Sequence, residues 1–195
     1  FKRLPKETIF SDEHLKVAEE LALECPVLLE NNGILPIAKT KKIAFVGEFS
    51  LSKDLLGCWQ YSQHVDDVKT IVSGFVDDGF DVVGVCEDYD INNAKKICEK
   101  ADVVIFNIGE SSESNGEARS HHDLHVRNDA INCFNALKAC GKNIVTLVVS
   151  GRPLILNEFI SSDALVMGWN LGHKMADAIA KLFSGEANFS AKLSV

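Results

Sequence analysis

Five short runs of β-branched and other apolar residues constrain this chain more than any other feature of its sequence. They cover residues 43–46, 81–86, 101–108, 143–149 and 164–167, and the first, third and fourth end at Gly47, Gly109 and Ser150-Gly151. A strand that is apolar at nearly every position is covered on both faces, which points to a mostly parallel sheet. Stretches with helical spacing lie between the runs. Residues 65–77 carry Val65, Val68, Ile71, Val72 and Phe75, and residues 92–100 carry Ala94, Ile97 and Cys98. Residues 130–140 carry Ile131, Phe134, Ala136 and Leu137 before Gly141, and residues 174–183 carry Met175, Ala178, Ile179 and Leu182. Gly141 suits the position after a helix end. Ahead of the first run, Ser11 reads as the cap of a helix through Leu21, with His14 at its third position. This alternation predicts an α/β fold: a doubly wound, mostly parallel sheet of about five or six strands, with helices on both faces and right-handed crossovers. Residues 1–195 read as a single sandwich domain, with 1–10 and 187–195 as connecting segments.

Charge narrows the partners. The 195 residues hold 20 Lys and Arg against 28 Asp and Glu, a formal net charge of −8, and the longest basic runs are dipeptides. Nucleic acid and anionic membrane surfaces need clustered cations, so neither is expected as a partner. No run approaches the ~18–20 apolar residues of a membrane-spanning helix. The start, Phe1-Lys2-Arg3-Leu4-Pro5, is not a signal peptide and lacks an initiator Met, as a fragment or trimmed product would. Cysteines stand at 25, 58, 86, 98, 133 and 140, with no C-x-x-C and no zinc spacing. They read as six small buried hydrophobes in a reducing compartment, which favours the cytoplasm.

Ligands of open parallel sheets bind beyond the carboxyl ends of the strands. Those ends carry Gly47-Glu48, Gly109-Glu110, Ser150-Gly151-Arg152 and Gly168-Trp169. The segment after the third run stands apart: residues 110–120 are long, polar and hold Glu110, Glu113 and Glu117, with Arg119, His121 and His122 close by. A loop of that length in a compact domain is usually functional or mobile, and a carboxylic acid on it could act as a general acid if closing against another surface raised its pKa. Other motifs fail. Gly47-Glu48-Phe49-Ser50 is neither a dinucleotide fingerprint nor a phosphate loop, and no G-x-S-x-G elbow occurs. His121 and His125 would share a face if helical, yet no third ligand stands at a known metal spacing, and exposed histidines at a helix start are the expectation. No metal and no cofactor is called for.

At this point the ordered motifs resemble a known family. Glu24-Cys25-Pro26-Val27-Leu28-Leu29-Glu30-Asn31, continuing to Leu35-Pro36-Ile37, resembles the entry segment of the C-terminal domain of glycoside hydrolase family 3. Lys42 to Gly47 is similar to its first strand, Gly57-Cys58-Trp59 to its G-S-W, and Ala101-Asp102-Val103-Val104 through Gly109-Glu110 to its A-D-V-V-V…G-E. Asn115-Gly116-Glu117-Ala118 resembles S-G-E-G/A, Ser150-Gly151-Arg152-Pro153-Leu154 resembles S-G-R-P-L, and Leu182-Phe183-Ser184-Gly185-Glu186 resembles L-F-S-G-E. The likeness runs over roughly residues 15 to 195.

The resemblance implies the C-terminal domain of a retaining β-glycosidase of β-glucosidase or β-xylosidase type. Its partners would be a β-linked glucoside or xyloside and a (β/α)8 barrel, in the same protein or complex, that supplies the nucleophile. It implies Glu117 as the acid/base, with Glu110 the runner-up, and Glu110, Arg119 and Trp169 as sugar contacts. No barrel lies in these residues, so the isolated chain is expected to be inactive. Arg152 reads first as a fastener of loops through backbone carbonyls. Trp169 either stacks on a sugar or fills a seam between domains, and Trp59 is expected to pack. Several positions depart from the family pattern: His121 stands at an Arg place, Arg127 and Glu48 at Pro places, Glu30 at a Lys place, and Leu171 to Ala176 replace P-G-x-E-G-G. These leave as an alternative a non-catalytic sandwich for interdomain support or sugar binding, and more remotely a free-standing small-ligand binder.

Overall fold

A computed structural model describes residues 5, 8–60, 65–114 and 116–194. Most of the expected N-terminal connecting segment, and Asn115 of the acidic loop, lie outside these residues. The described chain forms one six-stranded sheet: β1 (Val27–Asn31), β2 (Lys42–Val46), β3 (Asp81–Cys86), β4 (Val103–Gly109), β5 (Ile144–Val149) and β6 (Ala164–Met167), in the order β1-β6-β5-β4-β2-β3. The strands from β2 to β6 are mutually parallel, and β1 closes one edge antiparallel to β6. All five expected runs are strands, and the doubly wound, mostly parallel sheet expected from them is present. The sixth strand, β1, is partly exposed and bulged, and it falls where the sequence pattern gives no strand.

Alternate side chains of each central strand feed two apolar layers, as a pleated strand requires. From β2, Ile43 and Phe45 enter one layer, built with Ile71 and Phe75 of α2 (Ile71–Asp77) and Met175, Ile179 and Phe183 of the fifth helix, Met175–Ser184. Ala44 and Val46 enter the other, built with Ala94 and Cys98 of α3 (Ile91–Cys98) and Ala130, Cys133, Phe134 and Leu137 of α4 (Asn128–Ala139). The fifth helix is α5, and α1 (Asp12–Glu24) lies against it. Phe75 centres the first layer, edge-on to Phe45 at 5.1 Å and to Phe183 at 5.7 Å. Each fully buried Phe stabilises by about 1.5–3 kcal/mol from its removal from water alone. Among the described residues no helix is long and apolar enough to cross a membrane.

Local signals set the helix ends. Ser11 caps α1 by accepting from the His14 amide, as expected. Thr70 caps α2 through the Ser73 amide, so the expected helix over 65–77 divides into a 3-10 turn, Val65–Asp67, and α2 proper. Gly185, in the left-handed region at φ 80°, stops α5. Residues 187–194 carry no helix or strand, although Phe189 packs against the first layer.

Candidate active site

The register of β4 on β5 builds the site. Gly109 pairs with Val149, and the Glu110 amide donates to the Val149 carbonyl at 2.9 Å. That pairing sets Glu110 beside Ser150-Gly151-Arg152, 40 residues further along the chain. Gly109 cannot be otherwise, because a Cβ there would lie 1.7 Å from the Val149 oxygen. The Glu110 side chain is 7% exposed and fully engaged. Arg152 grips it with two parallel bonds, Nε to Oε2 at 2.8 Å and Nη2 to Oε1 at 2.6 Å, and Ser150 Oγ donates to Oε2 at 3.2 Å. Those donors hold the Glu110 carboxyl below its usual range, Arg152 foremost, and Glu110 raises Arg152 in return.

The same guanidinium also reaches the far end of the acidic strap. Nη1 donates to the His121 carbonyl at 2.6 Å, and Nη2 lies 3.3 Å from the Asp123 carbonyl. The expectation that Arg152 fastens loops through carbonyls is met, and Glu110 is a further acceptor that spacing alone did not identify. His121 Nδ1 sits 3.0 Å from Glu110 Oε1 and 2.7 Å from Arg152 Nη2. One ring nitrogen cannot satisfy both at once, since the first contact needs a proton on it and the second a lone pair.

Between these ends the strap is tied at two described points. Ser112 donates its amide to Asp54 Oδ2 at 2.8 Å, which ties the strap to the loop after β2. Arg119 folds back on the strap itself, Nη1 to the Ser112 carbonyl at 2.8 Å. Gly116, at φ 121°, and Ala118, at φ 59°, make the turn that carries Glu117. Glu117 is exposed, and its carboxylate has no hydrogen bond or ion pair among the described residues. Gly116 borders a cleft of about 290 Å³ lined also by Leu56, Gly57, Cys58, Trp59, Gly151, Arg152 and Asn170. A Cβ at Gly116 would come within 3.2 Å of Cys58 Sγ. The G-C-W, N-G-E and S-G-R motifs, far apart in sequence, thus meet at one opening.

The other expected residues fall as follows. Trp59 does not pack: it is 61% exposed at the cleft mouth. Trp169, at φ 57°, is half-buried against the layer beneath α3 and α4, while its neighbour Asn170 lines the cleft. Residues 121–127 are not helical, so His121 and His125 share no helix face and α4 begins only at Asn128. His125 Nδ1 instead lies 2.6 Å from Asp123 Oδ1. Among the described residues no group of three His, Cys, Asp or Glu side chains is placed to hold a metal. Of the six cysteines, only Cys86, Cys98 and Cys133 are buried; burial pushes these thiols up to about 12, 11 and 12. Cys25 and Cys140 are exposed, because their helix-end positions face outward, and Cys58 is half-buried at the cleft.

A second acidic position, Glu48 at the end of β2, was expected only as one of the strand ends, without its partner. Glu48 Oε2 accepts from Arg127 Nη1 at 3.1 Å, Arg127 makes two bonds to Asp129, and its guanidinium lies over the Tyr89 ring at 5.7 Å. Burial raises the Glu48 carboxyl above its usual value, and Arg127 offsets only part of this. Glu48 and Arg127 were separate departures from the family pattern; in space they are partners.

Residues 26–195 match the family model described as "Glycosyl hydrolase family 3 C-terminal domain". A periplasmic β-glucosidase of Salmonella typhimurium is 30% identical over 93% of this chain and 28% of its own length. A β-xylosidase of Formosa agariphila is 26% identical over 100% of this chain and 30% of its own length. A crystal structure of the β-glucosidase from Listeria innocua in complex with glucose superposes with a TM-score of 0.88 at 32% identity, covering 93% of this chain and 26% of that one. The chain thus spans less than a third of the length of the curated relatives it matches.

Proposed function

The chain belongs to glycosyl hydrolase family 3, as its C-terminal domain, and from that premise we propose that it carries the acid/base of a retaining β-glycosidase acting on a β-linked glucoside or xyloside. One observation carries the assignment to Glu117 rather than Glu110. At the same rim, one carboxylate is consumed by Arg152 and Ser150, and the other stands exposed, with no hydrogen bond or ion pair among the described residues, next to the cleft-lining Gly116. A group that must give and take a proton within one turnover cannot also be locked into a bidentate ion pair.

In the proposed mechanism a barrel outside this chain supplies a carboxylate nucleophile, which attacks the anomeric carbon while Glu117 protonates the departing oxygen. Water then enters on the same face, Glu117 takes its proton, and the configuration is retained. The two carboxyl groups must face each other at about 5–5.5 Å across the sugar. Neither half suffices alone, so the isolated chain is inactive.

The Glu117→Gln variant, made in the protein that includes the barrel, tests this. Turnover of β-glycosides with poor leaving groups falls by about 10²–10⁴-fold, while activated aryl glycosides lose little in their first step. Unchanged kinetics on poor leaving groups would remove Glu117 from the role. A second reading, sugar binding without catalysis, draws support from Trp59, exposed at the cleft mouth where a ring could stack. It expects Trp59→Ala to weaken sugar binding and Glu117→Gln to leave rates unaltered.

A further inference from the structure

We propose that Arg152 is the positioning residue of the acid/base strap, setting where Glu117 stands without itself touching the sugar; this rests on the reading of Glu117 above. The guanidinium has five N–H groups in a fixed fork. Nε and Nη2 hold Glu110, where the strap leaves β4. Nη1 holds the His121 carbonyl, and Nη2 also lies against the Asp123 carbonyl, where the strap returns. Most of the donors are therefore spent on the two ends of one loop, and few remain to recognise a ligand, although Arg152 borders the cleft.

Among the described residues, two further side chains hold the strap between its ends. Arg119 ties it only to itself, and Asp54 grips it at the single amide of Ser112. Arg119 lies two residues past Glu117, and its bonds to the Ser112 and Gly116 carbonyls close the Glu117 turn on itself, so that turn moves with the strap rather than being fixed to the sheet. The closure made by Arg152 is what gives that turn a fixed origin. Two further features fit a clamp. Glu110 is anchored by its own amide to β5, so the guanidinium grips a point that cannot drift. Ser150, on the same strand end, accepts the Arg152 amide at 3.3 Å and donates to Glu110, bracing clamp and anchor together. Lysine cannot replace this arrangement, because an ammonium has no planar fork with which to span a carboxylate and two carbonyls.

The test uses the protein with its barrel and three variants: Arg152→Lys, Glu117→Gln and the double variant. The readouts are kcat/KM for aryl β-glycosides of good and poor leaving groups, and hydrogen exchange of the strap amides. Misplacing a catalytic group by about 1 Å can cost on the order of 10²-fold, so Arg152→Lys loses about 10–100-fold on poor leaving groups. On good leaving groups it stays within about twofold, and in the Glu117→Gln background it costs nothing further. Exchange rises at residues 111–120 and not in β4 or β5. Equal losses on both leaving-group classes, additive losses in the double variant, or an unchanged strap exchange would each overturn the clamp while leaving Glu117 as the acid. Unchanged kinetics of Glu117→Gln would overturn the proposed function and the clamp with it. Should Arg152→Lys fold poorly, Glu110→Gln, which keeps the shape and one acceptor, is expected to raise strap exchange in the same way, and unchanged exchange there would overturn the clamp.

Discussion

Two glutamates occupy equivalent places, each one residue beyond a glycine at the end of a neighbouring parallel strand, and each faces an arginine. Their electrostatic fates are opposite. Glu110, beyond β4, is held low; Glu48, beyond β2, is pushed high. The difference lies in how the arginine is employed. Arg152 gives Glu110 a two-bond fork, and Ser150 adds a third donor. Arg127 gives Glu48 one bond and spends its better geometry on Asp129. Burial penalises both carboxylates, but only the fork repays the penalty. A nearby opposite charge is therefore no guarantee of a stabilised carboxylate; the commitments of its partner decide. Among the described residues Glu117 has no such commitment, which accords with the proton-transfer role proposed for it.

The comparison breaks most visibly at the arginines. Arg152→Met strands Glu110 in a buried position and is expected to destabilise the domain by about 3 kcal/mol. Arg127→Met, where the arginine is exposed and Glu48 only half-buried, is expected to cost less than about 1 kcal/mol. Denaturant unfolding of both variants checks the contrast, and equal losses would show that the two pairs are alike.

Acid sharpens the same contrast with a smaller effect. The folded value of Glu110 lies below its ordinary 4.5, so its contribution is present above that value and is lost as pH falls through the lowered folded one. The folded value of Glu48 lies above 4.5, so its contribution is present below 4.5 and is lost as pH rises through the raised one. Glu110→Gln should accordingly flatten the loss of stability on the acid side. Glu48→Gln should remove the loss on the neutral side. Unfolding midpoints measured from about pH 3 to 7 separate them, since both windows flank the ordinary carboxylate value.

The sheet was readable because its central strands β2, β4, β5 and β6 are buried and run nearly apolar, and the half-buried edge strand β3 still carries a Val-rich run. β1 was not: it is short and bulged, with only Val27 buried, and its pairing with β6 arises from the far end of the chain. Caps were readable where the signal is local, as at Ser11, but Thr70 within 65–77 was passed over, and it is what divides that stretch. At the site, the strap was visible from its length and polarity. The bond from Glu110 to Arg152 was not, because it depends on the register of β4 against β5, which no local pattern encodes. The histidines at 121–125 suggested a helix start; Asp123 instead takes the His125 amide at 3.0 Å and holds the segment in a turn. Glu48 and Arg127 looked like independent departures until the fold set them 3.1 Å apart.

The central claim, that Glu117 is the acid/base, is tested most directly by the Glu117→Ala variant of the protein with its barrel, supplied with an activated aryl β-glycoside and azide. Azide needs no general base, so it should intercept the glycosyl intermediate on the face that water normally uses. The account predicts a partial return of turnover and a β-configured glycosyl azide product, read by NMR. An Ala variant that hydrolyses as fast as the parent, or forms no glycosyl azide while the parent's activity is lost, would contradict it.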